Sequence, residues 1–334
     1  MPWSSKSRPV LVVGGGIGGL AAALALARQG CHVKVLEQSP EIGEIGTGIQ
    51  LGPNAFAAFD ALGVGDRTRA RAVYTERMEM RDAIDESVIC SVPFGEAFRQ
   101  RFGNPYAVIH RADVHTSLLE GVQETDRIEL VTSTPIERVE ATAGGVTVVD
   151  AAGARHQGSA LIGCDGVKSA VRQDLVGDAV RVSGHVVYRA VVDAAEFPAD
   201  LRINAPVVWA GPNCHLVHYP LRGGEQFNLV VTFHSREPEE WGVKEGNAEE
   251  VQSYFHGISE RPRQLLRLPR SWRRWATADR EPTGGGPSGA ARFYHAHGVE
   301  RLVRNELWKG RTPERCYDAL EWLYGWRVEH CLAA

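Results

Sequence analysis

A glycine-rich turn after a short apolar run constrains the fold of this chain more than any other feature. Val10–Val13 is apolar throughout, as expected of a strand that is buried on both faces of a sheet. Gly14, Gly16 and Gly19 follow in G-x-G-x-x-G spacing. Residues 20–28 are rich in alanine and leucine, which favour a helix. The order of strand, glycine turn and helix predicts the first half of a βαβ unit.

Each position of this turn has a role in a nucleotide-binding unit. Gly14 makes the tight turn, Gly16 leaves room for a pyrophosphate, and Gly19 lets the helix pack closely on the strand. A second apolar run, 33–36, ends at Glu37, whose carboxylate can accept hydrogen bonds from ribose hydroxyls. The alternative is a ligand-free turn with a solvated Glu37, but the agreement of all these elements favours an adenine dinucleotide. The motif alone does not separate FAD from NAD.

Composition excludes several classes of partner. The chain has 334 residues, enough for about two domains, and its net charge of -4 comes from interspersed charges. Nucleic acid and membrane surfaces are therefore not expected as partners. The six cysteines form no C-x-x-C pair, which predicts reduced thiols in a cytoplasmic protein. His295 and His297 have no third ligand nearby in sequence, so no metal site is expected.

Two further motifs follow strand-like runs. Arg111 stands between the apolar run "YAVIH" and a helical pattern. Asp165 and Gly166 follow "SALIGC" and begin a D-G-x-x-S-x-x-R pattern that Ser169 and Arg172 complete. From the residues alone, Arg111 could form a surface salt bridge and Asp165 could cap a helix.

With these motifs the chain resembles the class A flavoprotein monooxygenases, the single-component aromatic hydroxylases. The resemblance implies that FAD is held by the glycine turn, Glu37 and Arg111. It also implies that Asp165 and Gly166 serve both FAD and the reductant, NADH or NADPH. An NAD-dependent dehydrogenase built on the same glycine turn is disfavoured by the Asp-Gly motif and by the predicted substrate sheet.

The predicted fold class is α/β, with a Rossmann-like FAD-binding domain, an inserted antiparallel-sheet substrate domain and C-terminal helices. Runs rich in valine and aromatic residues, separated by turn signals, predict the antiparallel strands at 185–194, 205–211, 214–223 and 226–235. Residues 76–98 are expected to add earlier strands. The predicted domains are FAD-binding (8–72 and 105–180), substrate-binding (73–104 and 181–282), a glycine-rich junction (283–290) and a C-terminal helical segment (291–334).

The run "NCHLVHYPLR" holds the predicted catalytic group. If it is a strand, His215, Val217 and Tyr219 share one face and His218 lies on the other. Hydroxylation of a phenol needs a base, and histidine titrates near neutral pH. The resemblance gives His215 this role and places Tyr219 beside the substrate; His218 is the second choice. It further implies that a hydroxybenzoate-type acid and O2 are substrates, with 3-hydroxybenzoate converted to 2,5-dihydroxybenzoate.

The segment "TGGGPSGAA" stands where the family carries a third FAD motif. That motif is a strand ending in Gly-Asp, followed by Ala-Ala-His-Pro and a helix. Gly-Asp occurs here only at residues 65–66 and 177–178, which are far too early. We interpret the segment as a deletion junction, with an ordinary linker as the alternative, so an impaired remnant of the enzyme is a second hypothesis. Apolar residues at helical spacing in 299–326 could form a homodimer contact, but packing on the chain's own core is favoured.

Overall fold

The computed structural model describes residues 4–43, 46–142, 144–279, 301–302, 305–306 and 308–324. It is a mixed α/β fold with a parallel sheet and antiparallel sheets, which confirms the predicted fold class. The chain groups into two compact units. The first contains residues 1–46, 58–70 and 111–181, and the second contains 47–57, 71–110 and 182–334. The domain boundaries given above stay a prediction.

The strands and helices are numbered in chain order. The strands are β1 (Val10–Val13), β2 (Val33–Leu36), β3 (Gly48–Leu51), β4 (Val73–Tyr74), β5 (Arg77–Asp82), β6 (Val88–Pro93), β7 (Ala107–His110), β8 (Ile128–Val131), β9 (Ile136–Thr142), β10 (Gly145–Asp150), β11 (Arg155–Gly158), β12 (Ala160–Gly163), β13 (Arg181–Asp193), β14 (Val207–Gly211), β15 (Cys214–Leu221), β16 (Gln226–His234), β17 (Gly242–Glu245) and β18 (Arg273–Asp279). The helices are α1 (Ile17–Arg28), α2 (Pro53–Leu62), α3 (Gly65–Arg71), α4 (Glu96–Phe102), α5 (Arg111–Gln123), α6 (Ala170–Leu175), α7 (Ala248–Tyr254), α8 (Glu260–Leu266) and α9 (Pro313–Tyr324).

The first unit is built on a parallel sheet of order β12-β1-β2-β8. Its central strand β1 is buried along its whole length, with Val10, Leu11 and Val12 fully inaccessible to solvent. This is the burial expected of a parallel strand covered on both faces. A separate antiparallel sheet, β11-β10-β9, packs its Val146 and Val148 into the same core as Leu11. The parallel order brings the carboxyl ends of β1, β2 and β12 to one edge.

The second unit contains an eight-stranded sheet of order β17-β18-β13-β16-β15-β14-β5-β6. The four predicted strands are present and pair antiparallel with one another, and β5 and β6 supply the earlier strands expected from 76–98. The pairing of β14 with β5 is parallel. A three-stranded sheet, β3-β7-β4, belongs to the same unit.

The large sheet separates two hydrophobic cores. Its first face packs Cys214 and Leu216 with residues of α7 and α8. Its second face packs Val217 and Tyr219 with Val108, Phe98 and other side chains of α4 and β7. Successive residues of β15 therefore enter different cores, as the period of two in a strand requires.

The C-terminal helix α9 packs on the second core. Cys316 and Tyr317 are buried there, and the Tyr317 hydroxyl donates a hydrogen bond of 2.8 Å to the carbonyl of Pro93. Before α9, Arg301 and Asn305 donate to the fully buried carboxylate of Asp82 at 2.6 and 2.7 Å. These contacts agree with the expectation that this segment packs on the chain's own core. The glycine cluster and the histidines at 295 and 297 lie outside the described residues.

Among the helices that the structure describes, none is long and apolar enough to cross a lipid bilayer.

Candidate functional site

The turn after β1 has a backbone that only glycine can supply. Gly14 has φ of +105°, and a Cβ there would lie 2.3 Å from the carbonyl oxygen of Cys164. A Cβ on Gly19 would lie 1.8 Å from the carbonyl oxygen of Gly14. Such distances are far inside van der Waals contact, so helix α1 approaches the strand this closely because neither residue has a side chain.

The N-terminus of α1 opens into a cavity of about 460 Å³ at the carboxyl edge of the parallel sheet. Gly16 lines this cavity, and a Cβ there would meet no atom within 4 Å. Among the residues that the structure describes, the Gly16 N–H has no hydrogen-bond acceptor. The free N–H groups and partial positive charge of a helix N-terminus suit an anion such as a phosphate.

Glu37 also lines the cavity and is held by the backbone. Its Oε2 accepts from the Gly15 N–H at 2.5 Å, and its Oε1 accepts from the Ser39 N–H at 2.8 Å. The half-buried carboxylate is thereby fixed at the end of β2. Since each carboxylate oxygen can accept more than one hydrogen bond, both retain capacity for a ribose hydroxyl.

Two cations lie in the cavity wall. Arg111 is the first residue of α5, and Lys168 lies in the loop before α6; both are exposed side chains that line the cavity. Gly46 lies against Arg111, where a Cβ would come within 2.8 Å of the arginine Cβ. These positive charges complement the pyrophosphate of a dinucleotide.

Asp165 and Gly166 line the cavity from the other side. Asp165 accepts from the Ser169 hydroxyl at 2.5 Å and from the Val171 N–H at 3.1 Å. Ser169 caps α6 by accepting from the Arg172 N–H at 2.9 Å. Asp165 therefore organises the helix start, as the capping interpretation proposed, and it also lies at the cavity.

His115 was not singled out in the sequence. It lies on α5 four residues after Arg111, is 3% exposed, and its Nε2 lies 2.9 Å from the carbonyl oxygen of Gly15. The signal was its spacing from Arg111, since residues four apart share a helix face.

The predicted substrate residues lie in the second unit. His215 is half-buried near the start of β15, opposite Ala210 and Thr232 in the neighbouring strands. Tyr219 is 2% exposed on the same face of the sheet. The shared face was predicted correctly. The two residues are separated by about 14 Å along the strand, at roughly 3.4 Å per residue.

His218 lies on the opposite face and is fully buried. Its ring is 5.5 Å from that of Phe197, and neither ring nitrogen has a hydrogen-bond partner among the described residues. Burial, with a smaller contribution from the charge of Arg81, lowers the pKa of His218 to about 3. So low a pKa makes the ring a poor proton acceptor near pH 7, and core side chains enclose it. Both observations argue against His218 as the catalytic base.

Comparison with known proteins places the chain in a family. Residues 7–279 match the model of the FAD binding domain family. The chain belongs to this family. The 3-hydroxybenzoate 6-hydroxylase of Polaromonas naphthalenivorans (strain CJ2) is 59% identical, over 97% of this chain and 98% of the relative. The protein of the same name from Klebsiella oxytoca is 50% identical, over 99% and 100%.

Solved structures agree with this assignment. A FAD complex of a Klebsiella pneumoniae HpxO variant has a TM-score of 0.69 and 25% identity, covering 84% of this chain and 71% of that chain. A substrate complex of salicylate hydroxylase has a TM-score of 0.73 over 98% of this chain and 97% of that chain. At 20% identity, that second likeness shows the fold alone.

The chain is thus a flavoprotein aromatic monooxygenase whose cofactor is FAD. The residues of the first unit fit the adenosine diphosphate half of this cofactor. Gly16 leaves open space where a pyrophosphate would lie, its N–H has no other acceptor, and Glu37 stands at the end of β2. Arg111 and Lys168 supply positive charge at the same cavity.

Replacing Gly16 by alanine should weaken FAD binding without unfolding the protein. The added Cβ meets no protein atom and the backbone φ of -72° suits alanine, but the methyl group enters the space for the phosphates. We expect the affinity for FAD, measured by flavin fluorescence quenching, to fall about tenfold or more. The melting temperature of the ligand-free protein should be unchanged. Gly19→Ala is the contrasting variant, and a melting temperature as high as that of the parent would contradict the close packing described here.

Replacing His218 by leucine should make the second unit less sensitive to acid. Because the folded pKa lies below the unfolded value near 6.5, the unfolded chain binds a proton that the folded chain does not. Stability is therefore lost as the pH falls from about 6.5 towards 3, by about 1.4 kcal/mol per pH unit. Urea unfolding at pH 7.5 and 5.0 should show a smaller loss for His218→Leu than for the parent, by about 2 kcal/mol. The exposed His256, changed to glutamine, is the control, and an equal acid loss in the parent and His218→Leu would rule out this role.

Proposed function

We propose that this chain uses NADH and O2 to hydroxylate 3-hydroxybenzoate, giving 2,5-dihydroxybenzoate. The observation that carries the proposal is the 59% identity to a 3-hydroxybenzoate 6-hydroxylase over nearly the whole of both chains. The new hydroxyl enters the ring para to the one already present. FAD, when bound and reduced, supplies the activation of O2, and the protein supplies position, a water-poor site and a base.

His215 is proposed as the base that removes the phenolic proton. A phenolate ring is far more electron-rich than a phenol, so it reacts more readily with an electrophilic oxygen. His215 is half-buried on the second face of the sheet, whereas His218 is enclosed in the first core. Histidine is the side chain that most often acts as a general base in enzymes.

Tyr219 is proposed to contact the substrate carboxylate or ring from the same face. Burial raises the pKa of its hydroxyl, with a smaller opposing contribution from the charge of Arg189. The hydroxyl therefore stays protonated and can donate a hydrogen bond at neutral pH.

We assign the cofactor-binding roles to residues at or beside the cavity of the first unit. Gly14, Gly16 and Gly19 shape the turn. Glu37 binds a ribose, and Arg111 binds the negative side of the flavin or the phosphates of FAD. Asp165 and Gly166 serve FAD and the passing NADH. The five described cysteines carry free thiols, which supports the cytoplasm as the site of the reaction.

A second candidate is an impaired remnant of this enzyme. The alignment with the Polaromonas relative has 390 positions while this chain has 334 residues, so at least 56 positions of the relative have no counterpart here. The alignment covers 97% of this chain and 98% of the relative, which supports an internal position for the difference. The glycine cluster at 283–289, where the third FAD motif would stand, is the proposed place of the loss. Without that motif, the ribityl chain of FAD would lose a partner.

The absorption spectrum of the purified protein separates the two candidates. If the first candidate is correct, a visible flavin absorption band remains after excess FAD is added and unbound FAD is removed, as expected for a retained cofactor (roughly one FAD per chain). A protein that melts cooperatively yet retains no flavin would support the remnant. The matched control is the chain with the relative's internal segment restored, which should retain FAD in either case.

Replacing His215 by alanine should uncouple reduction of FAD from hydroxylation. The variant should still oxidise NADH, because the base acts on the aromatic substrate and not on the nicotinamide. Product formation should fall by about 10²-fold or more, as expected on loss of a positioned base. Chromatography of 2,5-dihydroxybenzoate alongside NADH absorbance measures both steps. His256→Ala, a change at an exposed histidine, should leave both unchanged, and normal product yield in His215→Ala would remove His215 from the mechanism.

A further inference from the structure

The centre of the glycine turn is held from two sides by side chains of other elements. The Gly15 N–H donates to Oε2 of Glu37 at 2.5 Å, and the Gly15 carbonyl lies 2.9 Å from Nε2 of His115. His115 is 3% exposed, and its partner in this contact is a carbonyl oxygen, which only accepts. The imidazole must therefore carry a hydrogen on Nε2, and this N–H donates a hydrogen bond to the carbonyl oxygen of Gly15.

This turn needs such support because it has no side chains of its own. Gly14, Gly15 and Gly16 are consecutive, and glycine populates more backbone conformations than any other residue. A peptide plane between two glycines can rotate with little steric resistance. Fixing the plane between Gly15 and Gly16 therefore requires a bond from outside the turn.

The bond from His115 also sets the direction of the next N–H. No cis peptide bond occurs among the described residues, so the Gly15 carbonyl and the Gly16 N–H point in opposite directions across one planar unit. With the carbonyl directed at α5, the Gly16 N–H is directed away from it. That N–H has no acceptor among the described residues, and Gly16 lines the cavity.

We propose that His115 is a positioning residue of the cofactor site, which holds the Gly15–Gly16 peptide so that the Gly16 N–H faces the pyrophosphate of FAD. His115 acts through the backbone and does not touch the cofactor. Packing alone does not explain a buried polar side chain at position 115, because an apolar side chain of the same size would fill the space equally well.

The test compares His115→Phe with His115→Gln. Phenylalanine keeps a ring of similar size without the donor, whereas the glutamine amide can donate from nearly the position of Nε2. In the ligand-free protein, hydrogen exchange of the segment 14–19 should become faster in His115→Phe. Without the restraint on the Gly15–Gly16 peptide, the hydrogen bonds of the Gly14 and Gly15 N–H groups should open more often. The affinity for FAD should fall about fivefold to tenfold, as expected on loss of one hydrogen bond. His115→Gln should restore both readouts towards the parent.

The matched control is His156→Phe. His156 bonds Oδ2 of Asp150 at 3.0 Å in the β9–β11 sheet of the same unit, away from the cavity. This variant should lose stability without faster exchange at 14–19 or weaker FAD binding. Equal effects of the two phenylalanine variants would overturn the proposal, as would a folded His115→Gln that is as impaired as His115→Phe. If the parent binds no FAD, the proposed function fails and the exchange of segment 14–19 alone decides the role of His115.

Discussion

The approach of helix α1 to strand β1 is the contact on which the first unit depends. With only 1.8 Å between a Cβ on Gly19 and the Gly14 carbonyl, the two elements touch backbone to backbone. This closeness brings the first turn of α1 to the carboxyl edge of the sheet, where the ends of β2 and β12 also lie. Glu37, Asp165 and Gly16 then share one cavity because each follows one of these strands. The position of the site therefore follows from the order of the strands and from the presence of glycine at positions 14 and 19.

In the second unit the corresponding constraint is the alternation of side chains along β15. One strand contributes to two cores, so adjacent residues meet opposite environments. His215 and His218 differ by three positions and therefore fall on different faces. The first is half-buried, and the second is enclosed beside Phe197 with a strongly lowered pKa. Burying the polar ring of His218 away from water lowers the stability of the fold. Among the described residues, no hydrogen bond to either ring nitrogen compensates for this loss.

Much of this architecture could be predicted from the sequence because its signals are local. The glycine spacing, the apolar runs of β1 and β2, and the alternation of β13 to β16 each lie within a few residues of one another. The bond from His115 to Gly15 joins residues one hundred positions apart, and the anchoring of Arg301 on Asp82 joins residues still further apart. No local pattern specifies such partners. The parallel pairing of β14 with β5 was missed for the same reason.

The anchoring of α9 bears on the proposal that an internal segment is absent from this chain. Tyr317 bonds Pro93 at the end of β6, Arg101 of α4 pairs with Asp318 and Glu321, and Asp82 receives Arg301. All these partners belong to the second unit. In the second core, the Tyr317 ring makes edge-to-face contacts with the rings of Phe98 and Phe102. If an internal segment is absent as proposed, these contacts of α9 are still present, so the stability of the second unit and the retention of FAD should be measured separately.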